Sequence, residues 1–161
     1  MGVPSSGLVV LSTLWGVKKP HQTAIARRTL SAPARHLRDQ GLLQFPMLDY
    51  GCGRGKDVDE LGCDGYDPHW SPMSLDRHTG FYRTILCTYV INVVDEETEA
   101  EILADLQRLL RPGGTAYITV RRDMNEWTGI QRLVHLDLPV QYECAGFCIY
   151  SLARRRLLAS S

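Results

Sequence analysis

The sequence predicts an α/β protein built on an open sheet, mostly parallel, with an antiparallel edge at its C-terminal end. Three observations predict it. A short apolar run, Pro46-Met47-Leu48-Asp49-Tyr50, enters the glycine-rich turn Gly51-Cys52-Gly53-Arg54-Gly55, after which a short helix can start near Lys56-Asp57. A strongly β-branched run, Ile85 to Val94 (ILCTYVINVV), precedes a long helix whose Ile102, Leu103, Leu106, Leu109 and Leu110 fall on one face. The apolar segments QRLVHLDL and FCIYSLA are separated by turn-rich sequence, as two antiparallel edge strands are. Strand, glycine turn, helix, strand, strand, helix, strand is a βαβ order, and right-handed crossovers put helices on both faces.

The elements follow in order. Residues 1–18 read as an N-terminal extension, closing at Lys18-Lys19-Pro20. Ser31 offers an N-cap with Pro33 in the first turn, and that helix runs through Leu37 to a stop at Gly41. Leu42 and Leu43 then pack on the sheet. A second strand from Cys63 to Tyr66 ends at Asp67, and residues 68–80, with two prolines, form a loop. Asp95 caps the long helix, whose acidic first turn (Glu96, Glu97, Glu99) and basic last turn (Arg108, Arg111) suit the helix dipole. Pro112-Gly113-Gly114 ends it, and Thr115 to Val120 is the next strand. Little room exists between Asp67 and the ILCTYV strand for another αβ unit, so the fold is a trimmed one. Residues 19–161 make one domain, with a helical segment at 19–45 and the sheet core at 46–161.

Bulk properties narrow the function. The chain carries 18 basic and 18 acidic side chains, so no global attraction to nucleic acid or to a membrane exists. Five cysteines at irregular spacing form no disulfide framework, which suits a cytoplasmic protein. The one close pair, Cys144 and Cys148, lacks a second pair to complete a metal site, so no metal is expected. The apolar run Leu8 to Trp15 is far below a membrane span.

The chemistry centres on the glycine turn. In such a sheet ligands sit beyond the carboxyl ends of the strands, where backbone free of side chains approaches them. Asp67 closes the second strand sixteen residues past Gly51, near the spacing of roughly 20 expected of a ribose-binding carboxylate. A tight turn alone would leave both the strand context and Asp67 unexplained. Dinucleotide binding is the rival. Its turn favours Gly-x-Gly-x-x-Gly packing a long helix, whereas this one reads Gly-x-Gly-x-Gly before a short helix.

LDYGCGRG, GYDP, the NVVDE-helix-RPGG run and the strand after it resemble class I S-adenosylmethionine-dependent methyltransferases, over about residues 46–123. TAIARRTLSAPARHL, LDYGCGRGKDV and TYVINVV are further similar to small methyltransferases associated with DNA phosphorothioation systems. The resemblance implies a trimmed Rossmann-like sheet and S-adenosylmethionine as cofactor. It implies that Asp49 and Gly51, Cys52, Gly53 and Gly55 wrap the methionine portion, and that Asp67 bonds the ribose hydroxyls with Tyr66 and Pro68 beside the adenosine. Thr88 and Tyr89 would lie near the sulfonium, and Asn92 would face the acceptor. The missing αβ unit departs from the family's pattern at the adenine pocket, which His69-Trp70 would close instead.

The acceptor stays open between nucleic acid and a small molecule. Amino methylation of bases typically shows an Asn/Asp-Pro-Pro-aromatic motif, and Tyr89-Val90-Ile91-Asn92 has none. Cytosine C5 chemistry needs a nucleophilic cysteine, usually after proline, and Cys87 sits inside an apolar strand. His69 is the leading base candidate, with His21 and His135 behind it, although such histidines are more often surface or core residues. Arg27, Arg28, Arg35 and Arg38 make the densest positive stretch, and Arg121-Arg122 can lie on the same side. They form a solvated face, a phosphate-contacting patch, or a lid whose Arg27 meets the cofactor's carboxylate. A non-catalytic cofactor sensor or partner subunit is the alternative reading.

Overall fold

The computed structural model describes residues 24–124 and 131–156. The expected extension 1–18, together with Lys19, Pro20 and His21, lies outside the described residues. The elements are α1 (Ala32–Asp39), β1 (Met47–Tyr50), α2 (Lys56–Leu61), β2 (Asp64–Tyr66), β3 (Tyr82–Thr88), α3 (Glu96–Leu109), β4 (Leu110–Arg121), β5 (Val140–Glu143) and β6 (Phe147–Ala153). They form one six-stranded sheet in the order β2-β1-β3-β4-β6-β5. The first four strands are parallel, and β6 and β5 are antiparallel at one edge. This is the trimmed, mostly parallel α/β sheet that the sequence predicts.

Both faces are covered by the helices that the apolar periodicity implies. Ile102, Leu106 and Leu109 of α3 pack with Ile85, Cys87, Ala116 and Ile118 on one face. On the other, Ala34 and Leu37 of α1 meet Leu86, Tyr117 and Ile149, with Leu42 and Leu43 against them. Burying each large apolar side chain contributes about 1.5–3 kcal/mol. Ser31 caps α1, accepting from the Ala34 amide, and Asp95 caps α3, accepting from the Thr98 amide at 2.8 Å.

Four boundaries differ from expectation. β3 stops at Thr88, because Tyr89 adopts φ +61° and Ile91–Val93 then form a 3₁₀ turn. The loop after Asp67 holds another 3₁₀ turn at Asp76–His78. α3 ends at Leu109, and Leu110 is already extended, so Pro112-Gly113-Gly114 lies within β4 at a register shift against β3. A Cβ on Gly114 would come within 3.0 Å of the Tyr82, Arg111 and Arg83 carbonyl oxygens, so only glycine lets the strands close there. QRLVHLDL is no strand: its described residues are irregular, and the outer strand is Val140–Glu143.

Candidate active site

Strand order reverses between β1 and β3, since β2 extends the sheet one way from β1 and β4 the other way from β3. A crevice forms beyond the carboxyl ends of strands at such a point. Here its floor is Asp49 and Gly51 at the end of β1, Asp57 at the start of α2, and Thr88 at the end of β3. Its rim holds Cys52, Arg54 and Lys56, and Ile25 and Arg27 come from the segment before α1.

The glycine turn is shaped by backbone bonds to β2. The Gly51 and Cys52 amides both donate to the Tyr66 carbonyl, at 2.6 and 3.0 Å, and Gly55 caps α2 at φ +78°. Gly53 has φ +53°, and a Cβ there would stand 3.3 Å from the Ala24 methyl group. Ala24 therefore lies directly on the turn. The Gly53 amide donates to one Asp67 oxygen at 3.0 Å, and the His69 and Trp70 amides donate to the other at 2.9 and 3.0 Å. Asp67 thus fixes the turn and the following loop relative to each other.

The floor is acidic and buried. Asp49 and Asp57 are each 4 % exposed. Burial, then the neighbouring Asp57, pushes the Asp49 carboxyl up from 3.8 to about 8, with Arg27 acting the other way. Asp57 accepts from the Ser31 amide at 2.8 Å and the Ser31 hydroxyl at 2.5 Å, which ties α1 to the turn. The Arg27 guanidinium approaches Asp57 to 3.7 Å. Burial also pushes the Cys52 thiol up to about 12, so it stays protonated.

Tyr89, the residue after β3, is the one described non-glycine at positive φ. For a bulky residue this costs about 1–3 kcal/mol, a strain that clusters at functional sites. The Arg27 and Arg121 guanidinium carbons lie 5.7 and 5.8 Å from its ring centre. Burial raises its phenol above the ordinary value and the two arginines offset part of that, so it is a neutral donor rather than a base.

Other expected residues are placed differently. Asn92 is 1 % exposed, and its amide bonds the Arg121 N–H at 2.8 Å and the Arg132 carbonyl at 3.0 Å. It braces the end of β4 instead of facing an acceptor. The Tyr66 ring turns into the core against Tyr50, and only its carbonyl serves the site. Pro68 is half-buried beside Asp67, and exposed His69 stands edge-on to Trp70, outside the cleft lining. Sequence reasoning missed Asp57, Arg54, Lys56 and Ile25. An acidic residue in the first turn of the helix leaving the glycine turn was the available signal for Asp57. Among the described residues no group of His, Cys, Asp and Glu is placed to hold a metal, and no helix is long and apolar enough to cross a membrane.

No family model matches the sequence, and no curated protein matches it. Solved structures do. A protein described as a type 11 methyltransferase from Sulfolobus solfataricus superposes with a TM-score of 0.58 at 16% identity, covering 83% of this chain and 97% of that one. The 1,6-didemethyltoxoflavin-N1-methyltransferase of Burkholderia thailandensis, solved with 1,6-didemethyltoxoflavin and S-adenosylhomocysteine bound, gives 0.53 at 17%, covering 78% and 77%. A protein from the echinomycin pathway, where a disulfide bond becomes a thioacetal group, gives 0.59 at 15%, covering 79% and 83%. The fold is that of S-adenosylmethionine-dependent methyltransferases. At such identity the likeness concerns the fold.

S-Adenosylmethionine fits the donor set. Its methionine end carries two positive centres and one carboxylate. The buried floor offers Asp49 and Asp57, and the rim offers Arg27. A pyrophosphate seated on the glycine turn would instead face those carboxyl groups. The cavity itself encloses about 30 Å³, room for water and not for a nucleoside.

Proposed function

We propose that the chain is an S-adenosylmethionine-dependent methyltransferase. The observation that carries the reading is the pair of buried carboxyl groups, Asp49 and Asp57, under a glycine turn at the switch point of the sheet. Asp49 and the turn residues Gly51, Cys52, Gly53 and Gly55 wrap the methionine portion, and Asp67 takes the ribose hydroxyls with Pro68 alongside. When bound, the cofactor supplies a methyl group whose bonding pair returns to sulfur as the acceptor's lone pair forms the new bond. Thr88 and Tyr89 line the approach to that carbon, so the chain contributes alignment and exclusion of water. The narrower likeness to phosphorothioation-associated methyltransferases rests on sequence motifs alone.

Calorimetry with S-adenosylmethionine, S-adenosylhomocysteine and nicotinamide dinucleotides tests the reading. Binding of the first two with no dinucleotide binding is expected. Dinucleotide binding without either of the others would overturn it. Methyl-labelled cofactor incubated with fractionated extract then separates an enzyme, which transfers label, from a cofactor sensor, which does not.

We further propose that segment 19–45, described here from Ala24 onward, is a lid over this cleft and not a detachable tail. Its support is the contact of Ala24 with the turn and the place of Ile25 and Arg27 in the lining. Arg27→Ala is expected to weaken S-adenosylhomocysteine binding several-fold without unfolding the domain, while deletion of residues 1–18 leaves binding intact. Equal tolerance of both changes would make the segment ordinary scaffold.

A further inference from the structure

We infer that the acceptor is a small molecule bearing a carboxylate or phosphate, and that Arg121 holds this group beside the Tyr89 ring. The inference rests on the methyltransferase reading above. Arg121 ends β4, next to β3 in the sheet, where Thr88 pairs with Thr119. Its backbone is fixed by Asn92, and its guanidinium lies 5.8 Å from the centre of the Tyr89 ring. Tyr89 directly follows Thr88 of the cleft lining, turns the chain at positive φ, and sets its ring within reach of the lining residue Arg27 as well.

In the structure Arg121 already holds a carboxylate. Asp123 meets the guanidinium at two points, Nε to Oδ1 and NH2 to Oδ2, each at 3.0 Å. That is the geometry in which an arginine receives a carboxylate or phosphate from a ligand. The pair is partly exposed, at 32% and 48%, so a ligand anion can replace Asp123 at little cost. Arg27, paired with Asp57 at 3.7 Å, adds a second positive charge at 5.7 Å from the same ring. Two guanidinium groups gathered on one ring make a point anchor. A nucleic acid would call for a basic stripe spaced for successive phosphates, and this chain has zero net charge.

The test titrates inorganic phosphate, benzoate and a short single-stranded DNA into the full chain, with and without saturating S-adenosylhomocysteine. Phosphate or benzoate is expected to bind and to compete with each other. Arg121→Gln should weaken them about tenfold or more, the scale of one lost charge-assisted contact. Asp123→Asn should tighten them by removing the internal competitor, whereas Asp76→Asn, exposed and remote, should not. No small-anion binding in either condition, or binding indifferent to Arg121→Gln, would overturn the proposal. So would DNA binding that depends on Arg121 and exceeds that of the small anions. Failure of S-adenosylhomocysteine alone, with the anion effects intact, overturns the cofactor reading and leaves the anion site standing.

Discussion

Asp49→Asn is expected to raise the stability of the free protein at pH 8 while removing most of its affinity for S-adenosylmethionine. Burial among β1, Asp57 and the glycine turn pushes the Asp49 carboxyl up to about 8, so the folded protein keeps a proton there that the unfolded chain has lost above its ordinary value of 3.8. Between these two values the folded state binds more protons than the unfolded one, and stability falls as pH rises through the window. Each unit of difference corresponds to about 1.4 kcal/mol, and relaxation around a buried group reduces the sum. A gain of roughly 2 kcal/mol or more at pH 8 is a reasonable scale. At about 2–4 °C per kcal/mol for a domain of this size, the melting temperature rises by roughly 5 °C. Little gain is expected at pH 3 and below, where both states carry the proton.

On the proposed function, the same carboxyl would face the cationic end of the cofactor. Binding of a cation favours the ionised form, so wild-type affinity should climb with pH toward 8 and binding should release a proton to buffer. Asp49→Asn should bind weakly and with no such slope. Thermal melts and calorimetry in two buffers of different ionisation enthalpy measure both effects. A variant no more stable than wild type at pH 8 would show that Asp49 is ionised in the free protein.

This trade-off between stability and binding explains what the sequence made legible. The glycine turn, Asp49 and Asp67 stand out because short apolar runs bound them. The Gly41 stop and the Ser31 and Asp95 caps were equally readable, since each depends on local chemistry. The end of β3 was not. ILCTYVINVV continues β-branched past Thr88 without glycine or proline, and only the packing of the β3–β4 end turns the chain at Tyr89. The same holds for Leu110: its spacing continues the apolar face of α3, while pairing with Tyr82 makes it the first residue of β4. Asn92 looked exposed to chemistry by its position after a central strand, and the burial that spends its amide on Arg121 and Arg132 is a tertiary fact. Arg121 was visible as a charge and not as a neighbour of Tyr89, because their proximity depends on strand order.

Asp67→Ala is expected to weaken S-adenosylhomocysteine binding by about 10- to 100-fold, the equivalent of about 1–3 kcal/mol for a charge-assisted contact to the ribose. Part of that loss is indirect, because the Gly53, His69 and Trp70 amides would lose their acceptor and both loops would loosen. Asp67→Asn should rescue little. Its NH₂ group would be placed either against the Gly53 N–H or against the His69 and Trp70 N–H groups, and two donors facing each other repel. A purely structural role for Asp67 predicts something different for the ligand. If the carboxylate touches the ribose, wild type should discriminate between S-adenosylhomocysteine and its 2′,3′-dideoxy analogue, and that discrimination should vanish in Asp67→Ala. Such a cycle isolates the contact from the loosening, which acts on both ligands alike. Equal preference for the hydroxylated ligand in wild type and in the folded variant would move the ribose away from Asp67.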